Sequence, residues 1–258
     1  MNRTPGRGAA LRGTARQAAL AIQFMTRLPM PALAVSSEDF QAAMRWFPLA
    51  GLLVGGVVAA AFWLGGLISP WLAALAGCAA WVWVTGALHL DGLADLVDGL
   101  AASHGNPEKL RAVMKDPHIG SCGVSALVVQ LLAKAVLIHE LARLAIPALA
   151  ALMALLMVPA LARLGPLLWT FWLPPLHDGL GSRFRGGVLT VHLAAWAAIL
   201  VPLALLYAPA LVAAPCLLGL WGLWLKRRLG GISGDCHGAG IELCETGLLL
   251  VLVVAGAT

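Results

Sequence analysis

Apolar runs follow one another along almost the whole chain, each near the roughly 20 residues a helix needs to cross a bilayer. The candidate spans are 46–68, 71–90, 122–139, 146–176, 188–207, 209–225 and 238–254. Ahead of them, 14–28 reads as an amphipathic helix lying at the membrane interface. The fourth run holds Pro159, Gly165 and Pro166, which open it to a kink or a split. Charged residues are only 11% of the 258, against about a quarter in a soluble domain, and the mean hydropathy is +0.88. Water would not tolerate so much apolar surface, and lipid does. The expected fold is therefore an all-α integral membrane protein, a polytopic bundle of about seven transmembrane helices with an N-terminal amphipathic helix. It forms a single membrane domain over 1–258, with a cytoplasmic and interfacial segment at 1–45 and the transmembrane bundle at 46–258.

Charge placement sets the orientation. The net charge is +5, but the basic residues form no nucleic-acid-binding face. Arg3, Arg7, Arg12, Arg16 and Arg27 precede the first run, and Lys226, Arg227 and Arg228 end another. That is the positive-inside pattern, so the partner is the lipid bilayer and not nucleic acid. Counting crossings from an inside N-terminus puts 89–121, 177–187 and 226–238 inside, where Lys109, Arg111, Lys115, Arg183 and Arg185 also fall. The outer connections hold only Arg143 as a cation. Seven crossings place the C-terminus outside, and splitting the fourth run would break this parity. No short apolar core with a cleavage site follows the basic N-terminus, so no removable signal peptide is expected. The five cysteines are odd in number, lack a CxxC pair and read as small core residues.

The chemistry lies in the acids. Of 12 acidic residues, six fall in two short segments at the expected inner face. In the first, Asp91, Asp95 and Asp98 are spaced i, i+4, i+7, one narrow carboxylate stripe on a helix. In the second, Glu242 and Glu245 are one turn apart, and Asp235 lies two turns before Glu242 if the helix extends that far. Like charges so placed repel, and a hard divalent cation, Mg²⁺ or Mn²⁺, would hold them together and in turn bind phosphate. Solvated helix ends are the plainer alternative, opposed by the apolar residues that continue directly from both segments. Glycines crowd the same places (Gly92, Gly99, Gly230, Gly231, Gly234, Gly238 and Gly240) and would allow close helix approach.

Between the acidic segments, 103–117 reads as a small surface helix with Asn106 as N-cap and Pro107 at its first position. Its Arg111 and Lys115 are i, i+4 neighbours suited to phosphate, with anchoring to anionic lipid as the competing reading. Arg163, inside an apolar span, is a further phosphate candidate. His89 and His118 flank the acidic loop and are candidates for substrate binding or proton transfer, local hydrogen bonding being the alternative. Cys236, His237, Cys244 and Asp235 match no standard zinc spacing.

Taken together, these stretches resemble the cobalamin synthase family, the adenosylcobinamide-GDP ribazoletransferases. The resemblance runs through Thr26-Arg27-Leu28-Pro29, Phe47-Pro48-Leu49-Ala50-Gly51, and His89 to Asp95 with Asp98-Gly99. It continues through Met114-Lys115-Asp116 with Ile119-Gly120, Gly179-Leu180-Gly181, Gly230-Gly231-Ile232, Gly234-Asp235 and Glu242-Leu243. One departure is visible: Leu176 and Asp178 stand where the family usually has an arginine and a glutamate, with Arg183 or Arg185 as candidate substitutes.

The resemblance implies joining of adenosylcobinamide-GDP to α-ribazole or its 5′-phosphate, giving adenosylcobalamin or its 5′-phosphate and releasing GMP, with Mg²⁺ required. It implies a bacterial inner-membrane enzyme whose active site faces the cytoplasm, with a homo-oligomer or a complex with other late cobalamin enzymes as further partners. On that footing Asp91, Asp95, Asp235 and Glu242 contribute to the metal site, and Asp98 joins them or accepts the attacking hydroxyl's proton. Lys115, Arg111 and Arg163 would bind phosphate. Two alternatives remain. A CDP-alcohol phosphotransferase would carry an arginine where Asp95 stands, and an ion- or proton-coupled transporter would keep its acids near the bilayer midplane.

Overall fold

A computed structural model describes residues 7–31, 33, 36–176 and 190–257, and every named element in them is helical. The order is α1 (Arg7–Met25), α2 (Ser37–Ala43), α3 (Phe47–Gly66), α4 (Pro70–Thr85), α5 (Leu88–Ser103) and α6 (Pro107–Val113). Then follow α7 (Ser121–Arg143), α8 (Ala148–Ala162), α9 (Leu164–Trp172), α10 (Thr190–Tyr207), α11 (Ala214–Arg228) and α12 (Gly234–Ala257). Residues 177–189, which hold Asp178, Gly179, Gly181, Arg183 and Arg185, lie outside the described residues, as does Arg3.

Six described stretches are long and apolar enough to cross a membrane, and α4 with α5 makes a seventh if the bent pair is one span. The fourth run is not split: α8 and α9 count as one span, Ala148–Trp172, through a turn at Arg163. The expected second span, 71–90, is not one straight helix. α4 ends at Thr85, Gly86 and Ala87 each take a φ of 60°, and α5 leaves at 85° to α4. Gly86 reaches that left-handed conformation freely, whereas Ala87 does so at a cost of roughly 1–2 kcal/mol. Arg27 lies against Gly86, and its backbone N–H donates to Val84 O at 2.7 Å. The 16 residues of α4 reach about 24 Å, most of a hydrocarbon core, before α5 turns across the end of the bundle.

Small residues set the helix contacts. A Cβ on Gly51 of α3 would stand 2.6 Å from Ala160 Cα of α8, so only glycine permits that approach. One core gathers Val58, Trp81, Ile138, Leu155 and Leu248. A second, around Phe47, Leu93, Leu96, Trp169 and Ile241, lies under the acidic segments. Large apolar side chains such as Trp63, Ile68, Val129, Leu206 and Leu250 are exposed on the outside, as lipid requires. The surface helix expected at 103–117 is α6, and the Asn106 carboxamide oxygen accepts from Glu108 N and Lys109 N at 2.8 and 3.1 Å. α1 buries Leu20, Ala21 and Met25 in the second core.

Candidate active site

α12 begins at Gly234, so Asp235 and Glu242 do share one helix. It crosses α5 with almost no side chain between the backbones. A Cβ on Gly92 would meet Asp235 Cα and O at 2.9 Å, and one on Gly238 would meet His89 O at 3.2 Å. Each helix thus offers a glycine to the other, and each glycine has an acid beside it or one turn away. Asp91 and Asp235 open on a common cavity of about 150 Å³, lined also by His89, His237, Phe24 and Phe47. Asp95, one turn further along α5, sits in the repulsive field of Asp91, Asp235 and Asp98. The start of α12 is pinned by a short bridge in which Leu176 N donates to Ile232 O and Ile232 N to Pro174 O, both at 2.9 Å. Gly231 makes room for it, since a Cβ there would stand 2.6 Å from Pro174 O.

Two expected members of the cluster are engaged elsewhere. Asp98 accepts hydrogen bonds from Gly120 N and Gly123 N at 2.7 and 2.8 Å. Its carboxylate therefore sits on the N-terminus of α7, where unpaired N–H groups and the helix dipole favour an anion. These two bonds make Asp98 an anchor between α5 and α7. Glu242 is fully buried and accepts from Lys134 Nζ at 2.7 Å and Gln130 Nε2 at 3.0 Å. Lys134 also donates to Glu245 at 2.6 Å and lies 4.4 Å from the centre of the Trp81 ring.

Arg163 completes that network. It is wholly buried and donates to Glu245 Oε1 at 2.8 Å and to Pro159 O at 2.9 Å. Two cations and two carboxylates thus neutralise one another inside the bundle, with Arg163 closed off from solvent. His89 joins the network to the cavity: Nδ1 is 3.4 Å from Arg163 Nη2, and Nε2 is 3.3 Å from Met25 Sδ. Arginine cannot accept a proton bond, so Nδ1 is the acceptor and the ring carries its proton on Nε2. Lys134 escaped the sequence reading, although a lone cation within the apolar run 122–139 is itself a signal of a buried partner.

The basic loop residues separate as well. Arg111 is half-buried and lines a second cavity of about 150 Å³ together with Arg228, Asn106 and Leu176. Lys115 is exposed on the turn after α6. His118 is exposed too and pairs with Asp116 at 2.7 Å, so hydrogen bonds from His118 hold the Asp116 carboxyl below its ordinary range.

Among the described residues no three His, Cys, Asp or Glu side chains converge on one point as they stand. Cys236 is buried, with its Sγ 3.3 Å from Ser233 Oγ. For a hard cation the donor chemistry does fit: Asp91 and Asp235 both line one cavity on backbones held in contact, although Asp235 Oδ2 also accepts from Ser233 Oγ at 3.3 Å.

Fold and site together define a polytopic helical membrane protein with a carboxylate-lined cavity at one end of its bundle. The chain belongs to the cobalamin-5-phosphate synthase family, whose model matches residues 17–253. It is 52% identical to the adenosylcobinamide-GDP ribazoletransferase of Novosphingobium aromaticivorans over 241 residues, covering 92% of this chain and 96% of that one. The protein of the same name from Laribacter hongkongensis is 52% identical over 243 residues, covering 93% and 97%. That from Thiobacillus denitrificans is 46% identical over 243 residues, covering 92% and 94%. No solved structure matches.

Proposed function

We propose that this chain is an adenosylcobinamide-GDP ribazoletransferase that joins adenosylcobinamide-GDP to α-ribazole or its 5′-phosphate and releases GMP. The observation that carries this reading is the backbone-close crossing of α5 and α12, which gathers Asp91, Asp95 and Asp235 in a chain of this family. A ribose hydroxyl attacks the diphosphate phosphorus on the cobinamide side, its bond to the GMP oxygen breaks, and the hydroxyl proton is lost. Asp95 is our candidate for that proton. Asp91 and Asp235 would hold Mg²⁺ or Mn²⁺, which neutralises charge on the diphosphate oxygens. Arg111, beside Arg228, is the candidate for a substrate phosphate. The acidic end of the bundle faces the cytoplasm of a bacterial inner membrane in this reading, because Lys109, Arg111, Lys115 and Lys226 to Arg228 lie at that end.

The test is direct. Purified protein in lipid nanodiscs, given adenosylcobinamide-GDP, α-ribazole and Mg²⁺, is expected to release one GMP per corrinoid product. EDTA is expected to stop the reaction and added Mg²⁺ to restore it. Silence with these substrates, together with turnover of a CDP-activated lipid, would move the chain to the rival phosphotransferase class. Release that continues in EDTA would remove the cation from the scheme.

Close approach of the two helices has its own test. Gly92→Ala puts a Cβ about 2.9 Å from the Asp235 backbone, so the helices must part. A shift of about 1 Å at a reacting centre costs on the order of 100-fold, and a loss of that size in GMP release is expected. Wild-type turnover in this variant would show that the crossing does not position the site.

A further inference from the structure

We infer that the groove between α5, α7, α11 and α12 is a binding site for one anionic phospholipid of the leaflet on the acidic side of the bundle. The groove has a volume of about 960 Å³ and is walled by apolar side chains including Leu100, Val129, Leu220, Trp224 and Leu243. At one end it is bounded by Arg227 and Arg228. Three observations select the occupant.

The first is position. On α5 the groove is lined by Leu93, Leu96, Val97 and Leu100, half a turn or so around the helix from Asp91, Asp95 and Asp98. The carboxylates therefore point away from it, and a diphosphate in the groove would not meet them. The second is depth. Leu217 at the far end and Arg228 at the near end are eleven residues apart on α11, about 16 Å along the axis. That is half of a hydrocarbon core of about 30 Å, the reach of acyl chains from one leaflet.

The third observation is charge. Arg227 and Arg228 are exposed, and among the described residues neither makes an ion pair. Two guanidinium groups at the mouth of an apolar slot complement a phosphate with a second negative or hydroxylated head, on top of two chains. Trp221 and Trp224 stack at 4.9 Å beside them, the amphipathic ring pair expected at headgroup depth. A zwitterionic lipid would fill the slot equally well but would set a choline cation against the arginines.

The experiment uses the full chain, delipidated in detergent and titrated with phosphatidylglycerol or phosphatidylcholine under native mass spectrometry. With about fivefold in affinity per arginine, phosphatidylglycerol is expected to bind about 25-fold tighter. Arg227→Gln/Arg228→Gln should bring that ratio close to one while phosphatidylcholine binding stays as it was. Ala126→Trp, or Leu220→Trp from the opposite wall, fills the slot and should weaken both lipids. Leu220 is exposed and Ala126 half-buried, and unchanged thermal unfolding in detergent checks that each variant is folded. Equal affinity for the two lipids in the unmodified chain would overturn the inference, as would an unchanged ratio in the double-arginine variant. So would a dimer cross-linked through this face.

Discussion

Asp95→Asn is expected to cut GMP release by about 10³-fold, within the 10²–10⁴ range for a general base, while the protein still inserts and folds. Asparagine keeps the shape of the side chain and removes only its ability to take a proton and carry charge. Among the described residues Asp95 makes no hydrogen bond that anchors the bundle, in contrast to Asp98, and removing its charge relieves repulsion from Asp91, Asp235 and Asp98. Stability should therefore hold or rise. Asp235→Asn provides the contrast. If Asp235 holds the cation, its loss should raise the Mg²⁺ concentration needed for half-maximal rate, and excess Mg²⁺ should recover part of the activity. The Asp95 defect should not respond to Mg²⁺. Rescue of Asp95→Asn and not of Asp235→Asn would exchange the two roles, and near-normal turnover by either variant would remove that residue from the reaction.

Why these two segments could be found without coordinates is a matter of solvation. Carboxylates at the edge of long apolar runs are costly enough that they stand out, and they mark a site before any helix is placed. The spans themselves follow from length and hydropathy, and α6 from its Asn106-Pro107 start. The bend at Gly86-Ala87 was hidden because both flanks are apolar and glycine is common in membrane helices. Partners from distant segments were hidden for a different reason. Spacing at i, i+4, i+7 says that Asp91, Asp95 and Asp98 share a face, but not that the Gly120 and Gly123 amides wait opposite the last of them. Likewise Glu242 is two turns from Asp235 in sequence, and Lys134, contributed by α7, decides that it turns inward. The family resemblance led to the family to which the chain belongs. Only the packing separated the residues that face the cavity from those that hold the helices around it.

Arg163 is where that separation has its largest consequence for stability. Arg163→Met leaves Glu245 with Lys134 alone, and removing one partner from a buried ion network costs about 3–5 kcal/mol. For a chain of this size that corresponds to a fall of roughly 10 °C in the unfolding midpoint. Removing Glu245 as well, in Arg163→Met/Glu245→Met, takes away the stranded charge and leaves Lys134 paired with Glu242. Because buried ion pairs barely repay their desolvation, the double variant should regain most of the lost midpoint. Its GMP release per folded molecule should remain within about tenfold of the unmodified chain, with the loss coming from a less firmly held His89, not from a missing phosphate contact. A phosphate clamp predicts the reverse: both variants inactive, the single one as stable as the parent, and nothing recovered by the second substitution. Thermal unfolding and turnover measured on the same three proteins decide between a residue that touches substrate and one that keeps α8 and α12 together.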